Sequence, residues 1–358
     1  MRLRGDEEVT LLRRVGCVVQ LAALVTLVGL LVTYLHARSL VLYGPVDQPF
    51  EQLSDMSFLR RVGVFLSGHQ RPRPQNLRTP GDLELLFRRV EISGENPGQR
   101  LDAWFLPHEH PEGLAIVLHD YGQSKADLLE VAVEFHDLRF AVFMPDLRAS
   151  GDSEGQETSF GWHEADDLVR VALRANDYQP AGGLRVIYGL GSGAAAALRA
   201  VAELKLEADA LILEGVYADL LDVFSGYIGA TSMMTWPVAR ISRFWAGYTM
   251  GFPAAQLKPV VYAAQVSVPT LLLVGREDTE GMAVGEDEGA AHLVEKALAG
   301  PRELRVVPGG RPIARTQPEA WFEAVQTFLA RVPPHAESPL PADTAPMSYA
   351  PDPVEHAE

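Results

Sequence analysis

The sequence predicts an α/β fold: a mostly parallel sheet with helices on both faces. Three observations carry this. Short apolar segments of strand length alternate with helix-length segments through most of the chain, and several are apolar throughout, as strands covered on both faces are. Two of the first strands flank the turn SGENPGQR, which predicts an antiparallel hairpin ahead of the parallel run. Near mid-chain, VIYGLGSGAAAALRA (186–200) reads as a strand, a glycine-rich turn and an alanine-rich helix. With 358 residues, 47% of them hydrophobic, the chain can build one large domain with appendages.

In chain order, residues 1–14 precede an uncharged apolar run, VGCVVQLAALVTLVGLLVTYL (15–35), long enough to cross a bilayer as one helix. Arg2, Arg4, Arg13 and Arg14 stand before it and only Arg38 soon after, which predicts a cytoplasmic N-terminus and an extracytoplasmic remainder. A cleaved signal peptide is the competing reading, but its apolar core is normally shorter and LHA is a poor cleavage site. Residues 36–78 read as a linker carrying a helix, Phe50 to Leu66, followed by a loop rich in proline and arginine.

The folded domain is expected over residues 79–331. LLFRRVEI and LDAWFLP form the hairpin; LAIVLHD, FAVFMPD, LRVIYG, ADALILEG, PTLLLVG and ELRVVPG are the following strands. Helices are expected at 125–137, 164–175, 192–204, 289–298 and 318–330. An insertion at 217–261, rich in aromatic residues and methionine, reads either as helices covering a sheet end or as a lid over an apolar pocket. Residues 332–358 are proline-rich and acidic and read as a disordered tail.

The formal net charge of -16 argues against a nucleic-acid partner. Cys17 is the only cysteine, so a disulfide framework and a cysteine zinc site are excluded. His108-Glu109-His110 has the donor types of a metal site but reads as a solvated loop; no metal or cofactor is expected.

From about Thr79 to Ala330 the sequence resembles the α/β-hydrolase superfamily, and within it the membrane-tethered acyl-esterase and serine-aminopeptidase group. The resemblance rests on the order and spacing of the hairpin, VLHDYGQS, PDLRASGDSEG, SFGWHEADD, the glycine-rich turn and LILEGVYADL. It implies the α/β-hydrolase fold and acyl transfer. A serine on the strand-to-helix elbow attacks a carbonyl, a histidine takes its proton, and an acid orients the histidine.

Laid on that pattern, Gly189-Leu190-Gly191-Ser192-Gly193 puts Gly191 at the nucleophile position, so the nucleophile is lost. Ser192 stands next to it, where the fold uses the backbone N–H for the oxyanion hole together with Tyr121. Ser192 reads as a helix-start residue or, alternatively, as a displaced nucleophile. Asp278 fills the acid position. Arg311 fills the histidine position, and a guanidinium cannot accept a proton from serine. Asp120 replaces a usual glycine, and its carboxylate would oppose oxyanion stabilisation unless it pointed away. Asp278 is a natural ion-pair partner for Arg311.

The expectation is therefore a membrane-anchored α/β-hydrolase-type protein with impaired catalysis, binding a small apolar or acyl ligand or a protein partner. Two alternatives stand beside it. One is an active hydrolase of ester, amide or acyl substrates using Ser192 with a remote histidine such as His335 or a partner's. The other is a dinucleotide binder through Gly189-x-Gly191-x-x-Ala194, with Glu214 as the ribose acid.

Overall fold

The computed structural model describes residues 2–48, 50–51, 55–93, 99–228, 235–276 and 286–333. Its centre is an eight-stranded sheet of β1 (Arg88–Ile92), β2 (Leu101–Leu106), β3 (Gly113–Leu118), β4 (Phe140–Pro145), β5 (Leu184–Leu190), β6 (Ala210–Glu214), β7 (Thr270–Gly275) and β8 (Arg302–Val307). The spatial order is β1-β2-β4-β3-β5-β6-β7-β8. Strand β2 runs antiparallel to both neighbours, and every pairing from β4 onward is parallel. The predicted leading hairpin is the β1–β2 pair.

Burial explains the apolar strands. Strands β3, β4, β6 and β7 are buried at every residue, because helices cover both faces of the sheet. One face packs on α4 (Trp162–Ala175) and α5 (Ser192–Ala202), whose alanines 194–197 let the helix approach closely. The other packs on α3 (Leu129–Asp137) and α11 (Pro318–Leu329), with Phe135 and Trp321 edge-to-face at 5.2 Å. Two short helices, α8 (Pro259–Ala263) and α10 (Ile313–Thr316), and α9 (Glu286–Ala297) complete the layers.

The N-terminal helix α1 (Arg2–Val41) has two parts. Its Leu12–Val41 portion, of mean hydropathy 2.5, is the one helix among the described residues long and apolar enough to cross a membrane. Residues 12–31 are exposed all round. Beyond them one side turns inward: Thr33, Ala37, Leu40 and Val41 are buried against the domain. The stretch expected as a linker is likewise built in, since Leu42 bridges to Glu157 and Gly44 to Pro72. The helix expected over 50–66 is shorter, α2 (Phe58–Ser67), starting after an extended Ser57. Within the insertion lie α6 (Leu220–Ile228) and α7 (Thr235–Met250). The tail beyond residue 333 lies outside the described residues.

Candidate active site

Strand β3 lies between β4 and β5, so chain progression reverses direction across the sheet at the carboxyl ends of β3 and β5. Ligands of open α/β sheets bind at such a point. Leu118 pairs with Gly189, which sets the loop after β3 beside the elbow after β5. Gly191 forms that elbow with φ 53° and ψ -109°, a backbone that residues with a β-carbon rarely adopt. Ser192 opens α5 immediately after it.

Asp120 enters this corner. Its Oδ1 accepts the backbone N–H of Tyr121 at 2.6 Å and that of Ser192 at 2.7 Å. These are the two donors that the resemblance assigns to an oxyanion. Asp120 does not point away: the protein's own carboxylate holds both. Two converging N–H groups, one at a helix start, attract negative charge, and the missing side chain of Gly191 leaves room for it. Arg311, between β8 and α10, adds a counter-charge, with Nη1 3.7 Å from Asp120 Oδ2. The same nitrogen donates to Gly215 O at 3.4 Å. Gly215, at φ 59°, makes space for that guanidinium, because a β-carbon there would stand 2.4 Å from Arg311 Cδ. Asp278, the ion-pair partner guessed for Arg311, lies outside the described residues.

Ser192 is buried, and among the described residues no imidazole hydrogen-bonds its hydroxyl. His119 is committed elsewhere. Its Nε2 accepts the N–H of Leu147 at 3.0 Å, so Nδ1 carries the proton and donates to Asp120 O at 2.9 Å. This histidine ties the loop after β3 to the loop after β4. In that second loop Ala149, where the resembled pattern has glycine, takes φ 62°. His163 bonds Met250 O at 3.1 Å. His335 lies outside the described residues.

The roof over Gly191 comes from Phe160, Tyr217, Val223 and Tyr227, and the space enclosed with Asp120, Tyr121 and Arg311 is about 30 Å³. That is room for about one water. Among the described residues of the insertion expected as a lid, Tyr217 and α6 reach this corner. Helix α7 packs instead on α1, with Trp245 edge-to-face on Tyr34 at 5.6 Å and Ser242 Oγ donating to Thr33 O at 3.2 Å.

The dinucleotide reading is also corrected. Glu214 is fully buried; Oε1 accepts the Ile313 N–H at 2.7 Å and Oε2 the Tyr188 hydroxyl at 2.8 Å, so it cannot meet a ribose. Gly189 serves packing: a β-carbon there would come within 2.6 Å of the Gly193 and Ala194 backbone.

Sequence reasoning missed how α1 enters the site. Tyr121 donates its hydroxyl to Leu40 O at 2.8 Å, and Gly122 N–H bonds Tyr43 Oη at 2.8 Å. Burial holds the Tyr121 phenol well above its ordinary pKa, so it stays a neutral donor. The Arg71 guanidinium lies over the Tyr121 and Tyr227 rings. A sequence signal existed in Thr33, Ala37 and Val41, spaced by four on one helix face.

No family model matches the chain. It is similar to the uncharacterized protein YqkD of Bacillus subtilis (strain 168), at 28% identity over 206 residues. That match spans 57% of this chain and 66% of the relative, just under two thirds of its length. Among solved structures it is similar to the Pyrococcus furiosus esterase Pf2001, with a TM-score of 0.58 and 22% identity over 73% of this chain and 98% of that one. A second crystal form of that esterase gives a TM-score of 0.56 and 24% identity over 73% and 95%.

Proposed function

We propose that this chain, which has the α/β-hydrolase fold, is a single-pass membrane protein that does not hydrolyse. Its N-terminus is cytoplasmic, and its extracytoplasmic domain serves as a binding surface for a protein partner. One observation carries the reading: the Asp120 carboxylate sits on the N–H groups of Tyr121 and Ser192 with Arg311 beside it.

Acyl transfer needs those donors free for the charge that develops on the substrate oxygen. Here a resident anion would have to leave before a substrate could enter. The nucleophile position carries no hydroxyl, and the histidine position carries a permanent cation. Loss of triad members alone lowers rates by roughly 10⁴–10⁶. The space over Gly191, about 30 Å³ among the described residues, is small for an acyl chain, which also supports a partner protein over an apolar ligand.

The test is fluorophosphonate labelling and p-nitrophenyl acetate hydrolysis by the purified chain. No labelling above a heat-denatured control is expected. The triple variant Asp120→Gly, Gly191→Ser, Arg311→His restores the elbow hydroxyl and the imidazole and is expected to gain labelling at residue 191. Labelling of the unmodified chain that Ser192→Ala abolishes would overturn the proposal.

A further inference from the structure

Helix α2 contains no buried residue, although six of its ten residues are large and apolar. Five of them, Phe58, Leu59, Val62, Phe65 and Leu66, are exposed. At 100° per residue these five share an arc of about 120° on one side of the helix. The other side, with Arg60, Val64 and Ser67, faces Leu35, Arg38 and Ser39 of α1. The contact is fixed by the His36 ring, whose Nε2 meets Phe65 O at 2.9 Å. Such a helix covers nothing of its own domain and leaves its apolar side outward.

Helix α7 repeats the arrangement on another side of α1. Its Ile241, Phe244 and Tyr248 are exposed and three or four residues apart, while Trp245 between them packs on Tyr34. Both helices therefore meet α1 between Thr33 and Ser39. That is the stretch directly after the all-exposed apolar run of residues 12–31. Twenty residues of helix span about 30 Å, the thickness of a bilayer's hydrocarbon core. The turns from Thr33 to Ser39 rise about 9 Å more, comparable to the headgroup layer.

We infer that the apolar side of α2 and the exposed edge of α7 are seated in the headgroup region of the bilayer that α1 crosses, anchoring the domain on the lipid surface. This rests on the reading of α1 as a membrane span. The bilayer is the occupant that the geometry selects, because both patches begin at the level where the lipid-facing run of α1 ends. Aromatic residues clustered at that level, Tyr34, Phe244, Trp245 and Tyr248, match the amphipathic rings favoured at membrane interfaces. A ten-residue helix with an apolar side and arginines opposite has the character of an in-plane interfacial helix.

The test uses the full chain with Cys17→Ser, reconstituted in phosphatidylcholine–phosphatidylglycerol nanodiscs. Single cysteines at Leu24, Leu59, Phe65, Phe244 or Leu173 carry an environment-sensitive fluorophore. Labels at 59, 65 and 244 are expected to be quenched by lipids spin-labelled near the headgroup, and several-fold less by aqueous iodide than the label at the exposed Leu173. The label at 24 is expected to respond to a mid-chain lipid quencher. If 24 responds and 59, 65 and 244 are quenched by iodide as freely as 173, the interfacial seating is overturned and the span stands. If 24 does not respond, the span itself fails. Labels at 59 and 65 shielded from iodide but silent to lipid quenchers would overturn the seating in favour of contact between copies.

Discussion

A β-carbon built on Gly191 would stand 2.1 Å from Cγ of Asp120. The two residues are therefore exclusive at this corner: the carboxylate occupies the volume that any side chain on the elbow would enter. Gly191→Ala adds this collision to the strain of a left-handed backbone and is expected to cost about 2–4 kcal/mol. Asp120→Gly removes the obstacle, so the double variant should be more stable than the sum of the single losses predicts. A coupling of about 1–3 kcal/mol from urea denaturation of all four species is expected. Strict additivity would show that the two sites do not share space.

Asp120 and Arg311 should differ in what their loss costs, although they form one ion pair. Asp120→Ala leaves two backbone N–H groups without their acceptor and removes a counter-charge from the largely buried Arg311 guanidinium. Arg311→Met leaves a carboxylate that keeps both N–H bonds. The first is expected to lower stability by about 3–5 kcal/mol and the second by about 1–2 kcal/mol. Equal losses would mean that the pair, and not the N–H contacts, holds the carboxylate in place.

That corner was only half legible in the sequence. Gly191 and Arg311 could be placed at the elbow after β5 and in the loop after β8 because each sits inside a recognisable stretch. The direction of Asp120 could not, since it depends on how close the loop after β3 comes to an elbow some seventy residues later. The strands themselves and the leading hairpin were readable because continuous apolar runs and turn residues carry them locally. The end of α1 was not. Hydropathy cannot separate a residue facing lipid from one facing a protein core, so Leu40 and Val41 looked like the approach to a linker. The same blindness concealed α7, whose aromatic residues signal burial without saying against what.

Glu164 supplies a pH dependence with a definite sign. It is buried at the start of α4, which alone would raise its pKa. Arg148 and hydrogen bonds from Ser159 and Thr158 outweigh burial and hold it below its ordinary value of 4.5. A carboxyl depressed by folding contributes stability that is complete above the unfolded value and lost as pH falls through the folded one. Urea stability should therefore decline below about pH 4.5. Glu164→Gln should lose about 1–3 kcal/mol at pH 7 and show a shallower acid limb. An unchanged acid limb would place the titration elsewhere.

The last turns of α1 should behave as part of the folded domain and separately from the stretch before them. A chain starting at residue 32 keeps Ala37, Leu40 and Val41, all buried in the main core, and the bond from Tyr121 Oη to Leu40 O. A chain starting at residue 44 loses them. It also loses the Tyr43 hydroxyl that satisfies Gly122 N–H in the loop bearing Asp120. Burial of one leucine and one valine contributes about 1.5–3 kcal/mol each, and each hydrogen bond about 1 kcal/mol. The shorter chain should therefore be less stable by about 5–8 kcal/mol, and the loop holding Asp120 should exchange its amide protons faster. The chain from residue 32 should keep the protection of the Tyr121 and Ser192 amides, because the contacts that α1 makes with that loop come from Leu40 and from Tyr43 just beyond its end. Equal stability of the two chains would mean that α1 merely rests on the domain, and the Tyr121–Leu40 contact could then not be what couples α1 to the closed site.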